Sequence, residues 1–249
     1  MSRSEIKIMK ILTLMFKKII RLPLRLIPQR LVVRVMSGPL RGARWVKGAS
    51  DNDCWLGWCE KAEAKAFNDS LQDDSVVWDV GANVGYYTLI AARGSPKRKV
   101  FAFEPLPSNI AIIRRHLTLN HLTNVSVIEA ALSDRNGTAF FQESANNSMG
   151  RLQPDGKLKV TCVTIDGLIR DYQVPPPSVM KIDVEGAEFA ALSGGINTLK
   201  RLKPIIFLAT HSPELHRSCS GLLLDLNYEL INLNHFQQLG CGDLMARPR

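Results

Sequence analysis

A carboxylate two residues ahead of a glycine turn is the chemical feature to explain first. In "VVWDVGANVGYYTLIAA", residues 76–92, an apolar run reads as a strand, Gly81 and Gly85 mark a turn, and an apolar stretch reads as a helix. Such turns receive phosphates or nucleosides, because backbone N–H groups and a helix N-terminus face the ligand. A dinucleotide fingerprint would place glycines at 81, 83 and 86, where this chain has Gly81, Asn83 and Tyr86. The glycine that admits a pyrophosphate to the backbone is missing, and Asp79 would repel one. The turn suits a ligand carrying an ammonium or sulfonium group. The plain alternative is that the glycines serve only close packing of strand and helix.

More acids follow at strand ends. Glu104 closes "KVFAFE", 19 residues after Gly85, where it can accept both hydroxyls of a ribose. Ser133 and Asp134 follow "NVSVIEAAL", within reach of an adenine amino group; equally, they can open a turn before Asn136-Gly137.

These residues need a scaffold that lines up strand ends. From Ser75 onward strands and helices alternate, which implies an α/β fold, a doubly wound and mostly parallel sheet covered on both faces. "VMKID" and "KPIIFLAT" read as its fourth and fifth strands. A helix is expected from about Ala187 to Leu202. "YELINLN" and "GDLMARP" form a terminal hairpin. "GTAFFQES" and "LKVTCVTID" make a hairpin-like excursion around a polar loop from Ser144 to Gly156. Before the sheet, residues 36–74 read as a leader of short strands and a helix from Trp58 to about Leu71. The expected divisions are 1–35, 36–74 and 75–249.

The net charge of +9 sits at one end. Residues 1–47 hold twelve Lys/Arg and one acid, leaving 20 basic and 22 acidic side chains in the other 202 residues. A cationic groove for nucleic acid across the main domain is therefore not expected. Residues 1–35 carry Ile8, Leu12, Met15, Phe16 and Ile19 at helical spacing, with lysines largely on another face. That stripe fits an in-plane helix on an anionic membrane, or a helix packed on its own domain or in a dimer. The segment never reaches about 18 uncharged apolar residues, so it should not span a bilayer. Five scattered cysteines without metal spacing fit reduced thiols in a cytoplasm.

The ordered set "DVGANVGYYT", "FAFEPLPSN", "AALSD", "TIDGL" and "MKIDVEGAE" resembles the FkbM family of S-adenosylmethionine-dependent methyltransferases, over about Val76 to His211. The resemblance implies a class I methyltransferase fold with a seven-stranded sheet ending in an antiparallel hairpin. It also implies S-adenosylmethionine as cofactor, and O-methylation of a hydroxyl on a sugar or natural product. Carried over, Asp79, Gly81, Asn83, Gly85, Glu104 and Asp134 line the cofactor site, with Asp183 next to the methyl donor. Members often carry a Glu just before the histidine at 211, where this chain has Ala209 and Thr210.

A sugar hydroxyl is a poor nucleophile at neutral pH, so a base is useful. Asp183, Glu185, Glu188 and His211 are candidates, His211 foremost. Asp183 is expected to touch the cofactor or the acceptor. Glu185 and Glu188 also suit the first turn of a helix, where acids favour the dipole. No metal is expected, because no dedicated ligand spacing is present. His116, His121, His216 and His235 read as surface residues. Other readings stay open: an RNA methyltransferase docking through the basic N-terminus, and a non-catalytic module binding membrane or protein.

Overall fold

The computed structural model describes residues 28, 30–143, 150–152, 156, 158–171, 174–233 and 241–249. The amphipathic stretch expected within residues 1–27, much of the polar loop and His235 lie outside these. In chain order the strands are β1 (Val32–Arg34), β2 (Arg44–Val46), β3 (Val76–Val80), β4 (Lys99–Phe103), β5 (Val125–Ile128), β6 (Ala131–Leu132), β7 (Gly137–Glu143), β8 (Gly150–Leu152), β9 (Leu158–Val163), β10 (Val179–Ile182), β11 (Ile205–Ala209), β12 (Tyr228–Asn232) and β13 (Asp243–Pro248). The helices are α1 (Asn52–Leu56), α2 (Lys61–Asp69), α3 (Tyr86–Gly94), α4 (Pro107–Leu119), α5 (Ile165–Asp171), α6 (Glu188–Ser193), α7 (Ile196–Leu202) and α8 (Pro213–Asp225).

The main sheet has seven strands in the order β12-β13-β11-β10-β3-β4-β5. β5, β4, β3, β10 and β11 run parallel, and β13 lies antiparallel between β11 and β12. This is the class I methyltransferase arrangement that the sequence led us to expect. Chain order reverses beside β3: β4 and β5 lie to one side, β10 and β11 to the other. A crevice opens at the carboxyl ends of strands at such a reversal.

Side-chain alternation sorts the strands' residues between two cores. Val77, Leu89, Ile113 and Phe207 pack on one face with Leu40, Trp45, Trp55 and Phe67 of the leader. Trp78, Val80, Met180, Ile182 and Leu208 pack on the other, with Leu192, Leu199 and Leu223 of the later helices. The leader therefore shares the domain's core. No helix among the described residues is long and apolar enough to cross a membrane.

Several expectations need correcting. "NVSVIEAAL" is not one strand: β5 stays in the main sheet, while β6 leaves to pair with β9 in a second sheet of order β6-β9-β7-β8. The helix expected over 187–202 breaks into α6 and α7 at Gly194-Gly195. A Cβ on Gly194 would lie 2.0 Å from the Ser133 carbonyl oxygen, so the break lets that backbone approach. The helix expected over 58–71 is present but shorter, as α2, and an unexpected helix, α1, precedes it and ends at Gly57, whose φ of 77° is left-handed.

His116 is not a surface residue but fully buried. The β1–β2 hairpin covers that side of α4 and brings two backbone groups that need partners. The Val46 N–H donates to Nε2 at 3.0 Å, and Nδ1 lies 2.8 Å from the Val84 carbonyl oxygen. The ring also stacks on Trp45, with centroids 4.2 Å apart. Burial lowers the imidazole to about 4, so it is neutral and can serve both partners at once. Replacing it with leucine strands the Val46 N–H and the Val84 carbonyl. His116→Leu should lower unfolding free energy by about 1–3 kcal/mol, measured by urea denaturation; an unchanged midpoint would contradict this account.

Candidate active site

A cavity of about 180 Å³ opens at the carboxyl ends of β3, β4 and β10. The glycine turn forms one wall. Gly81 has φ of +78°, and a Cβ there would fall 1.9 Å from the Asp183 carbonyl oxygen, so only glycine lets the turn lie against the end of β10. Gly85, at φ of 89°, begins α3. It shapes the turn without lining the cavity.

Glu104 reaches across to hold the turn. Its Oε2 accepts the Asn83 N–H at 2.8 Å; its Oε1 accepts the Leu106 N–H at 3.0 Å and the Asn109 side-chain amide at 3.2 Å. The carboxyl is 4% exposed. Burial raises it to about 7, against the pull of these hydrogen bonds. Asp79, on the neighbouring strand, accepts from the Thr88 hydroxyl of α3. Burial raises it to about 6. Phe103, Leu106, Ala130, Leu132 and Phe141 supply an apolar wall beside Glu104.

Ser133 and Asp134 do not line the cavity. On their side the wall is Ala130, Ala131 and Leu132. Ser133 is buried and donates to Asp134 at 3.2 Å, while Asp134 is exposed. The departure of β6 into the second sheet carries both past the rim.

The sequence reading missed Lys181. It faces Asp79 in register across β10 and β3 and is buried on the same side. Its Nζ lies 2.9 Å from Glu63 Oε1 on α2 and 3.3 Å from Asp183 Oδ2, and sits over the Tyr87 ring. The Tyr87 hydroxyl donates to Glu60 at 2.6 Å. Burial alone would push the ammonium down; Asp183, Glu63 and Glu60 outweigh it and hold Lys181 well above its ordinary value. A lysine amid the apolar residues of "VMKID" was the available signal, since a central strand tolerates a charge only with partners.

At the mouth, Asp183 and Glu185 follow β10 and His211 follows β11. His211 Nε2 lies 3.5 Å from Asp183 Oδ1 and 3.3 Å from Glu185 Oε2, and Nδ1 donates to Glu188 Oε1 at 2.8 Å. The residues immediately before His211 supply no acid, but the buried Glu188 of α6 does. Its hydrogen bond raises His211 to about 9, burial opposing and Asp183 and Glu185 adding to the rise. In this form the ring is protonated at neutral pH and cannot itself take a proton, which counts against the expectation that His211 alone is the base.

The donor set fits S-adenosylmethionine. Glu104 and Asp79 suit hydroxyl donors and positive charge, the apolar wall suits a flat ring, and among the described residues no arginine lines the cavity to hold a pyrophosphate.

The sequence profile of the methyltransferase FkbM domain matches residues 79–230. The chain is 30% identical over 178 residues to the hexuronic acid methyltransferase AglP of Haloferax volcanii, across 70% of this chain and 72% of that protein. It is 27% identical over 198 residues to the 2-O-methyltransferase NoeI of Sinorhizobium fredii, across 70% of this chain and 79% of that one. Among solved structures, methyltransferase FkbM from Methylobacillus flagellatus shares the fold, with a TM-score of 0.54 at 15% identity over 79% of this chain and 55% of that chain.

Hydroxyl donors and a cationic ligand bind the ionised carboxylates, so binding must displace the protons that burial favours. Affinity for S-adenosylmethionine should therefore climb as pH rises through the Asp79 and Glu104 values, about 6 and about 7. In Glu104→Gln the climb should level off earlier, once Asp79 has ionised. Calorimetric titrations across this range check both curves, and superimposable profiles would contradict the assignment.

Proposed function

Because this chain belongs to the FkbM methyltransferase family, we propose that it methylates a hydroxyl oxygen of a sugar, with S-adenosylmethionine as donor. The observation that carries the reading is the geometry of Glu104 and the Asp183–His211 group. One lies beside the glycine turn and the other at the cavity mouth, on strand ends either side of β3 in a single crevice. Glu104, aimed by three donors, is placed to accept a ribose hydroxyl pair. Asp79 and Glu104 bring negative charge to the cavity. S-adenosylmethionine supplies an already activated methyl group on a sulfonium sulphur.

What remains for the protein is to position the acceptor and ease the loss of its proton. Asp183 and Glu185 line the cavity and present carboxylate oxygens that a sugar's hydroxyls can donate to. His211 holds both against the mouth and is itself held by Glu188. The relatives' names, a hexuronic acid methyltransferase and a 2-O-methyltransferase, support a carbohydrate acceptor.

The test is methyl transfer from labelled S-adenosylmethionine to a panel of uronic-acid glycans, neutral glycans and hydroxylated compounds that are not sugars. Label should enter a sugar hydroxyl, located by mass spectrometry. His211→Ala should lower turnover with little change in cofactor affinity. Transfer only to non-sugar acceptors, or full turnover in His211→Ala, would contradict the reading.

A further inference from the structure

We propose that Asp183, Glu185 and His211 form a divalent-metal site at the cavity mouth, suited to an ion of the manganese or zinc kind. The inference deepens the methyl-transfer reading and rests on it for the ion's role, though not for its binding. One ligand atom from each of the three residues lies within 4.8 Å of the others, and Nε2 stands 3.3 and 3.5 Å from the two carboxylate oxygens. An ion bonded to such donors at about 2.0–2.2 Å sets neighbouring donors roughly 3–3.5 Å apart. Asp183 divides its oxygens, Oδ2 towards Lys181 and Oδ1 towards the ring.

The second observation lies behind the imidazole. Glu188 is fully buried, and its Oε1 accepts from Nδ1 of His211 and, at 2.9 Å, from the Gly186 N–H. With Nδ1 given to Glu188, Nε2 is the ring atom turned towards Asp183 and Glu185. A carboxylate behind a histidine is how proteins orient a ligating imidazole. The other oxygen, Oε2, is buried with no hydrogen-bond partner among the described residues.

Two carboxylates and one imidazole suit a borderline transition ion better than magnesium. Three protein ligands leave positions open, as in catalytic sites. An acceptor hydroxyl at an open position would become more acidic. The O–CH₃ bond then forms as the S–CH₃ bond breaks, and the hydroxyl proton leaves to water. No neutral imidazole is needed as base. No spacing along the chain announces this site, because its ligands come from the ends of two adjacent strands.

The test uses the full chain, stripped with chelator, desalted and titrated with Mn²⁺ while the free ion is followed by electron paramagnetic resonance. The wild type should take up a single equivalent at micromolar levels. His211→Ala and Glu185→Gln should lose it, and Glu188→Gln should weaken it about 10–100-fold, with circular dichroism confirming that each variant is folded. S-adenosylmethionine binding is measured on the same stripped protein. Cofactor binding without Mn²⁺ uptake would overturn the metal site and leave the methyltransferase reading standing. Mn²⁺ uptake without cofactor binding would do the reverse. Equal uptake by the wild type and all three variants would also overturn the site.

Discussion

The hydrogen bond from the Asn83 N–H to the Glu104 carboxylate fastens the turn after β3 to the acid that ends the adjacent strand, β4. β3 ends in the glycine turn and β4 ends in Glu104. Their adjacency is a property of parallel pairing, and the Gly81 and Ala82 N–H groups, both donating to the Phe103 carbonyl at 3.0 Å, hold the turn there with this contact. The carboxyl is buried deeply enough that its three donors do not restore an ordinary acid: burial wins, and its value rises to about 7. A hydrogen bond to a charged group contributes about 1.5–3 kcal/mol, and burying a carboxylate can offset several of them. The crevice therefore holds a carboxylate that a ligand bearing hydroxyls would stabilise.

A second constraint follows from strand alternation. Asp79, Lys181 and Phe207 are register partners on one face of three adjacent strands. An acid and an ammonium thus share a face with the first core. Removing one member of a buried charge group typically costs about 3–5 kcal/mol because the other is left uncompensated. Lys181 answers Glu63 of α2 and Asp183 at the mouth. The leader is therefore more than a cover over the sheet: α2 supplies one counter-charge for the lysine that steadies Asp183.

What the sequence made legible was local or periodic. Asp79, Gly81 and Glu104 were readable because a strand, a turn and an acid at the next strand's end are close in the chain and leave strong composition signals. The alternating strands and the antiparallel end of the sheet were readable for the same reason. His116 was misread because a histidine on a helix looks solvated until a distant hairpin covers it. Ser133 and Asp134 missed the cavity because β6 changes sheets, which no local pattern announces. The partnership of Glu188 with His211 joins residues 23 apart and depends on how α6 packs beside β11. Lys181 showed in the sequence only as an anomaly, since its partners come from α2 and from its own strand end.

The central claim is that Glu104, aimed by the glycine turn, holds the methyl donor. Its most direct test is isothermal titration of S-adenosylmethionine into the wild type and into Glu104→Ala. The account predicts binding by the wild type and a loss of about 1–3 kcal/mol in the variant, the range for unpairing buried hydrogen-bond partners. Equal affinity in the two proteins, or no binding by the wild type, would contradict it.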